Sequence, residues 1–204
     1  MVFGVWVSVF GTLVFVISLV FGTWELGFRS TLARLPFSRS TLALRPSTFR
    51  RMVKLPHTKS CFVCGVNNPL GLRLDFETDG EMVRARYAPR PEHSGFKEAV
   101  HGGLISTVLD EAMVWAIGVR TKRFTYCAEL RVRFLELVQP KGEFTVVAEL
   151  VANRSNKLFE AKAELQNRRG EVHAKATGKY LPIKGEALAV LIKDFAESAE
   201  GLFE

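Results

Sequence analysis

Two kinds of hydrophobic pattern divide the chain. From Val2 to Gly22 no charged residue interrupts an apolar run, and a helix of that length rises about 30 Å, roughly the hydrocarbon thickness of a bilayer. Beyond residue 51 the pattern becomes a series of short alternating segments. Residues 72–76 alternate apolar and polar side chains, and residues 82–87 do so again beyond Asp79-Gly80, which predicts a hairpin. A loop over 89–100 follows. Residues 103–119 then carry apolar side chains on nearly every face of a helix, the mark of a buried one. The spans 125–138, 143–153, 158–167 and 171–181 alternate once more, separated by turn-forming runs such as Pro140-Lys141-Gly142 and Arg168-Arg169-Gly170. They predict four consecutive antiparallel strands, each paired with its neighbour in sequence. Residues 186–203 place Leu188, Leu191, Ile192 and Phe195 at helical spacing.

A helix that is apolar all round cannot lie on a surface. Two strands, a helix, four strands and a terminal helix therefore predict an α+β fold in which a curved antiparallel sheet wraps one central helix, preceded by the N-terminal apolar helix. The chain of 204 residues suits one domain over 52–204 with an extension over 1–51.

Charge changes the reading of that extension. Six arginines against Glu25 give residues 1–51 a net +5, so only +2 of the total +7 belongs to 52–204. A nearly neutral domain is not expected to bind nucleic acid. Arginines following the apolar run point to membrane association through residues 2–22, with the domain on the cytoplasmic side. A cleaved signal peptide fits less well, because no Lys or Arg precedes the run and no Ala-x-Ala site follows it. Residues 27–51 also suit a linker or an organelle-targeting tail. Met52 stands just before the domain-like segment, so a start there, with 1–51 absent from the natural protein, is the other reading. Three cysteines, two of them in a CxxC, cannot staple a secreted domain, which favours a reducing, cytoplasmic compartment.

The candidate chemistry lies on the central helix. Asp110 and Glu111 interrupt its apolar surface, where an ionised carboxylate is costly unless paired or hydrogen-bonded. At 100° per residue Asp110 shares a face with Ser106, Met113 and Ile117, and Glu111 with Thr107, Val114 and Trp115. A structural ion pair or a subunit contact is the plain alternative. His101-Gly102-Gly103 opens the helix, and two glycines there let a ligand approach unpaired amides that suit an oxyanion. A simple entry turn explains them equally well. Cys61 and Cys64 with His57 lack a fourth zinc ligand, since Cys127 is the only other cysteine, so no metal is expected. The basic turns at 120–123, 154–157 and 168–169 suit either phosphates or solvent.

The segment from His101 to Ala112, preceded by Cys61-Phe62-Val63-Cys64-Gly65 and Asn68-Pro69-Leu70-Gly71-Leu72, resembles the PaaI-type hotdog-fold acyl-CoA thioesterases over residues 56–182. The resemblance implies hydrolysis of an acyl-CoA to a carboxylic acid and free coenzyme A, without metal or organic cofactor. It makes Asp110 the general base or nucleophile, Gly103 the oxyanion donor and His101 a shaper of the loop. Gly102, Glu111, His93 and Cys127 would be secondary or substrate-binding. Cys127 stands where many relatives carry Ser or Thr, and a small buried hydrophobe is its other reading. Gly103 and Asp110 are seven residues apart, about 10 Å along a helix, so a shared site in a homodimer, or a homotetramer, is expected. Alternatives are a non-catalytic acyl-thioester binder and an acyl-CoA hydratase or dehydratase, whose Asp-to-His spacing is not seen.

Overall fold

The helix α1 (Gly102–Thr121) buries Val108, Leu109, Ala112, Met113, Ala116 and Ile117 completely. Each large apolar side chain so enclosed contributes about 1.5–3 kcal/mol. In this computed structural model the described residues are 9–10, 13–14 and 51–197. The chain divides into two units, Met1–Arg39 and Ser40–Glu204. In the first, β1 (Val9–Phe10) pairs antiparallel with β2 (Leu13–Val14). These four positions are strand where a helix over 2–22 is expected; the other residues of that run, and the basic stretch after it, lie outside the described residues.

In the second unit seven strands form one antiparallel sheet. They are β3 (Val53–Lys54), β4 (Phe76–Thr78), β5 (Met82–Tyr87), β8 (Thr125–Phe134), β9 (Phe144–Arg154), β10 (Leu158–Asn167) and β11 (Val172–Pro182). Their order is β3-β4-β5-β9-β10-β11-β8. A separate small hairpin, β6 (Ser94–Phe96) with β7 (Ala99–Val100), follows the short 3-10 turn Pro91–His93. The inward residues of the sheet, such as Val146, Phe159, Leu165, Ala174 and Tyr180, join α1 in one core. The wrapped arrangement expected from the periodicity is therefore present. Among the described residues α1 is the one helix long and apolar enough to cross a bilayer, and its apolar surface is taken up by the sheet.

Three expectations need correction. The first strand of the expected hairpin, β4, begins at Phe76, not Leu72, because Leu72 N–H and Leu74 N–H donate to Phe62 O and Val63 O at 2.8 Å each, and Arg73 between them takes φ 55°. The run alternates in sequence but is bent onto the CxxC loop. Second, β8 does not pair with β9. It stops at Phe134, and residues 135–143 cross over, so that β8 instead borders β11 at the sheet edge. Pro140-Lys141-Gly142 belongs to a nine-residue connection, which is long enough to cross where a hairpin loop is not. Third, the terminal helix α2 spans Gly185–Lys193. It ends there because Asp194 turns to accept hydrogen bonds from Ser60 N–H (3.2 Å) and Ser60 Oγ–H (2.8 Å). Phe195 is then buried against Trp115 and Phe124.

Candidate active site

Where α1 passes the ends of β8 and β11, a cleft of about 1340 Å³ opens between α1, the loop at 58–61 and α2. Both helix carboxylates, Asp110 and Glu111, line it. Across the cleft stand Phe124, Cys127, Val190 and Leu191, so most of its wall is apolar, with Asp110, Glu111, Lys184, Glu186, Lys193 and Asp194 as its charged groups. That is the usual make-up of a small-molecule site.

Asp110 is held by Tyr180, whose hydroxyl donates to Oδ1 at 2.8 Å. Tyr180 comes from β11, on the inward face that also carries Ala174, Ala176 and Gly178. Its cross-strand partner is Cys127, at a bulge that leaves Ala128 of β8 unpaired. Such a bulge re-aims side chains locally. Burial, and then the neighbouring Asp110 charge, push the Tyr180 phenol upward, so it stays a donor. Burial followed by the same charge raises the Cys127 thiol to about 11, which leaves it protonated at neutral pH. Cys127 is therefore a neutral, half-buried neighbour of Asp110.

Glu111 leaves the helix on another side. Its Oε1 accepts from Cys64 Sγ–H at 3.2 Å and Cys61 Sγ–H at 3.6 Å. Removal from water, reinforced by the Cys61 sulfur, raises this carboxyl to about 8. Hydrogen bonding between the two sulfurs draws Cys61 down to about 5 and pushes Cys64 up. His57 is not among these groups. It meets Asp75 at 2.7 Å and Glu197 at 3.5 Å.

The helix start lies away from the cleft. His101 caps α1, its Nδ1 accepting from Gly103 N–H at 2.9 Å. A side chain at Gly102 would meet the Phe134 ring at 3.2 Å, and one at Gly95 would meet His101 Cα at 2.9 Å. The glycines therefore serve close packing around His101. His93 is buried, 7% exposed, stacked on Tyr87 with its carbonyl accepting from His101 N–H at 2.8 Å. Thus one chain brings Asp110, Glu111 and Cys127 to the cleft, and gathers His93, His101, Gly102 and Gly103 at the opposite end of the helix. Of the basic turns, Arg154, Arg168 and Arg169 pair with Glu160, Glu143 and Glu171, whereas 120–123 lead directly into the cleft residue Phe124.

No family model and no curated protein matches this sequence. Among solved structures, the E. coli PaaI protein of the phenylacetic acid degradation operon is similar at TM-score 0.51 and 17% identity, over 56% of this chain and 82% of that one. A thioesterase-superfamily protein is similar at TM-score 0.53 and 19% identity, over 60% of this chain and 63% of that one. The fold is the hotdog fold, and the PaaI-type resemblance carried by residues 101–112 agrees with it.

Proposed function

We propose that the protein is an acyl-CoA thioesterase in which Asp110 attacks the thioester or activates water. The observation that carries this reading is the carboxylate of Asp110, oriented by Tyr180 at 2.8 Å, at the wall of a largely apolar cleft. As general base, Asp110 takes a proton from water while the hydroxide adds to the thioester carbonyl. Collapse expels the coenzyme A thiolate, which recovers the proton. Lys184 and Lys193 on the cleft rim, with the basic 120–123 turn, suit the phosphates of coenzyme A.

The oxyanion donor comes from a second protomer. Within one chain Gly103 and Asp110 are separated by about 10 Å of helix, whereas reaction needs atoms about 3–3.5 Å apart. Among the described residues β8 pairs on one side only, and its Tyr126 and Phe134 are each 52% exposed. This open edge suits a second copy, in a homodimer whose antiparallel central helices complete each other's sites. The His101 ring yields the Gly103 amide to substrate there. The uncharged apolar run over 2–22, followed by arginines, supports membrane association with the domain on the cytoplasmic side.

Hydrolysis of a panel of acyl-CoAs, compared with Asp110→Asn, tests the reading. Turnover reduced by about 10²–10⁴ in the variant is expected. Ligand retention without turnover in the wild type would make it a binder, and conversion of enoyl substrates would make it a hydratase.

A further inference from the structure

We propose that Cys61, Cys64 and Glu111 form a binding site for one zinc ion. The two sulfurs lie 3.6 and 3.2 Å from the same Glu111 oxygen, and all three ligand atoms fall within 4.8 Å of one another. In a tetrahedral site with Zn–S about 2.3 Å and Zn–O about 2.0 Å, sulfur-to-oxygen edges measure about 3.5 Å. The donors thus already stand at ligand-to-ligand spacing. Spacing alone left the CxxC short of ligands; the fold supplies one from α1, 47 residues further along the chain.

The loop is built to hold that geometry. Gly65 N–H donates to Cys61 O at 2.9 Å, and a side chain at Gly65 would come within 2.6 Å of Cys61 N, so the turn requires glycine. The bonds from Leu72 and Leu74 fix Phe62 and Val63 from the other side. Val63 N–H points at Cys61 Sγ at 3.2 Å, and Thr58 Oγ1 meets Cys64 Sγ at 3.5 Å. Donors aimed at sulfur favour the charged thiolate that a metal ligand must be. Among the described residues no Lys, Arg or His pairs with Glu111, so three acidic groups share one place without a cation.

Two sulfur donors select a borderline-soft ion over magnesium or calcium. Cys64 is buried, while Cys61 and Glu111 line the cleft, so a fourth position faces the cleft and takes water. Binding forms two Zn–S bonds and one Zn–O bond and releases the ligand protons to solvent. The site uses neither Asp110 nor Tyr180 and stands independently of the thioesterase reading.

Cobalt(II) titration of the reduced, chelator-treated full chain tests it. One equivalent should produce sulfur-to-cobalt charge-transfer absorption with tetrahedral visible bands, displaced by one equivalent of zinc. Cys61→Ser and Cys64→Ser should each lose most of the charge-transfer intensity, and Cys127→Ser should retain it all. Glu111→Gln should keep thiolate bands but bind at least about tenfold more weakly. Thermal melts of the apo variants check folding, and if a Cys variant does not fold, the Glu111→Gln affinity decides. Absence of the bands in the reduced wild type, their survival in a folded Cys64→Ser protein, or unchanged affinity in Glu111→Gln would overturn the site.

Discussion

Tyr180 of β11 and Asp110 of α1, 70 residues apart in sequence, meet through a 2.8 Å hydrogen bond in which the phenol donates to the carboxylate. A bond to a charged group contributes about 1.5–3 kcal/mol, or roughly tenfold to hundredfold in rate if it acts in the transition state. Tyr180→Phe keeps the ring in the core and deletes only the donor. Its kcat on the best acyl-CoA should fall by that factor with little change in KM. An unchanged kcat would remove Tyr180 from the positioning of Asp110.

The two members of this pair differ in how visible they are in sequence. Asp110 stands out because a carboxylate breaks an apolar helical surface, and helix position alone sets its face. Tyr180 looks like any inward residue of an alternating strand. Its partner depends on β11 lying beside β8, and that neighbourhood follows from the crossover at 135–143, which local turn signals do not encode. The Cys61–Cys64–Glu111 cluster was hidden for the same reason: the CxxC is conspicuous, but its third member is supplied by tertiary packing. Local signals located the central helix and all four later strands, because each has its own period. They misread 72–75, where alternation persists through a bent backbone whose hydrogen bonds go to the loop at 62–63.

Gly178 makes room for the Tyr180 ring. A Cβ at 178 would lie 2.5 Å from Tyr180 Cε2 and 2.8 Å from its hydroxyl. Gly178→Ala should therefore drive the phenol off Asp110, lowering kcat about as far as Tyr180→Phe and reducing stability by about 1–3 kcal/mol through overpacking. Because both changes act on one hydrogen bond, the double variant should lose less activity than the two single losses multiplied. Fully multiplicative losses in kcat would separate Gly178 from the site.

Sharing of the site between protomers is open to complementation. Gly103→Val spoils the helix-start amide, and Asp110→Asn spoils the carboxylate. Each homodimer should be nearly inactive. Mixed dimers place both lesions in one site and leave the other intact, so up to about half of wild-type activity per heterodimer should return if each complete site works alone. Assay of tagged, purified heterodimers measures it, and no recovery would confine the site to one chain.

His93 gives the helix-start loop a pH dependence of defined sign. Burial, together with the Arg90 charge, holds its imidazole below the ordinary value of 6.5, and Glu92 opposes them more weakly. Its Nδ1 accepts from Arg90 N–H at 3.2 Å and its ring stacks on Tyr87, so the neutral form is the one the fold accommodates. The unfolded chain therefore takes up a proton near pH 6.5, before the folded chain does. Stability from this group is full above that pH and is lost as pH falls through the lower folded value. His93→Asn retains an acceptor for Arg90 N–H but cannot titrate in this range. Between pH 7.5 and 5 the wild type should lose more thermal stability than the variant, and parallel Tm curves would show that His93 is not the titrating group.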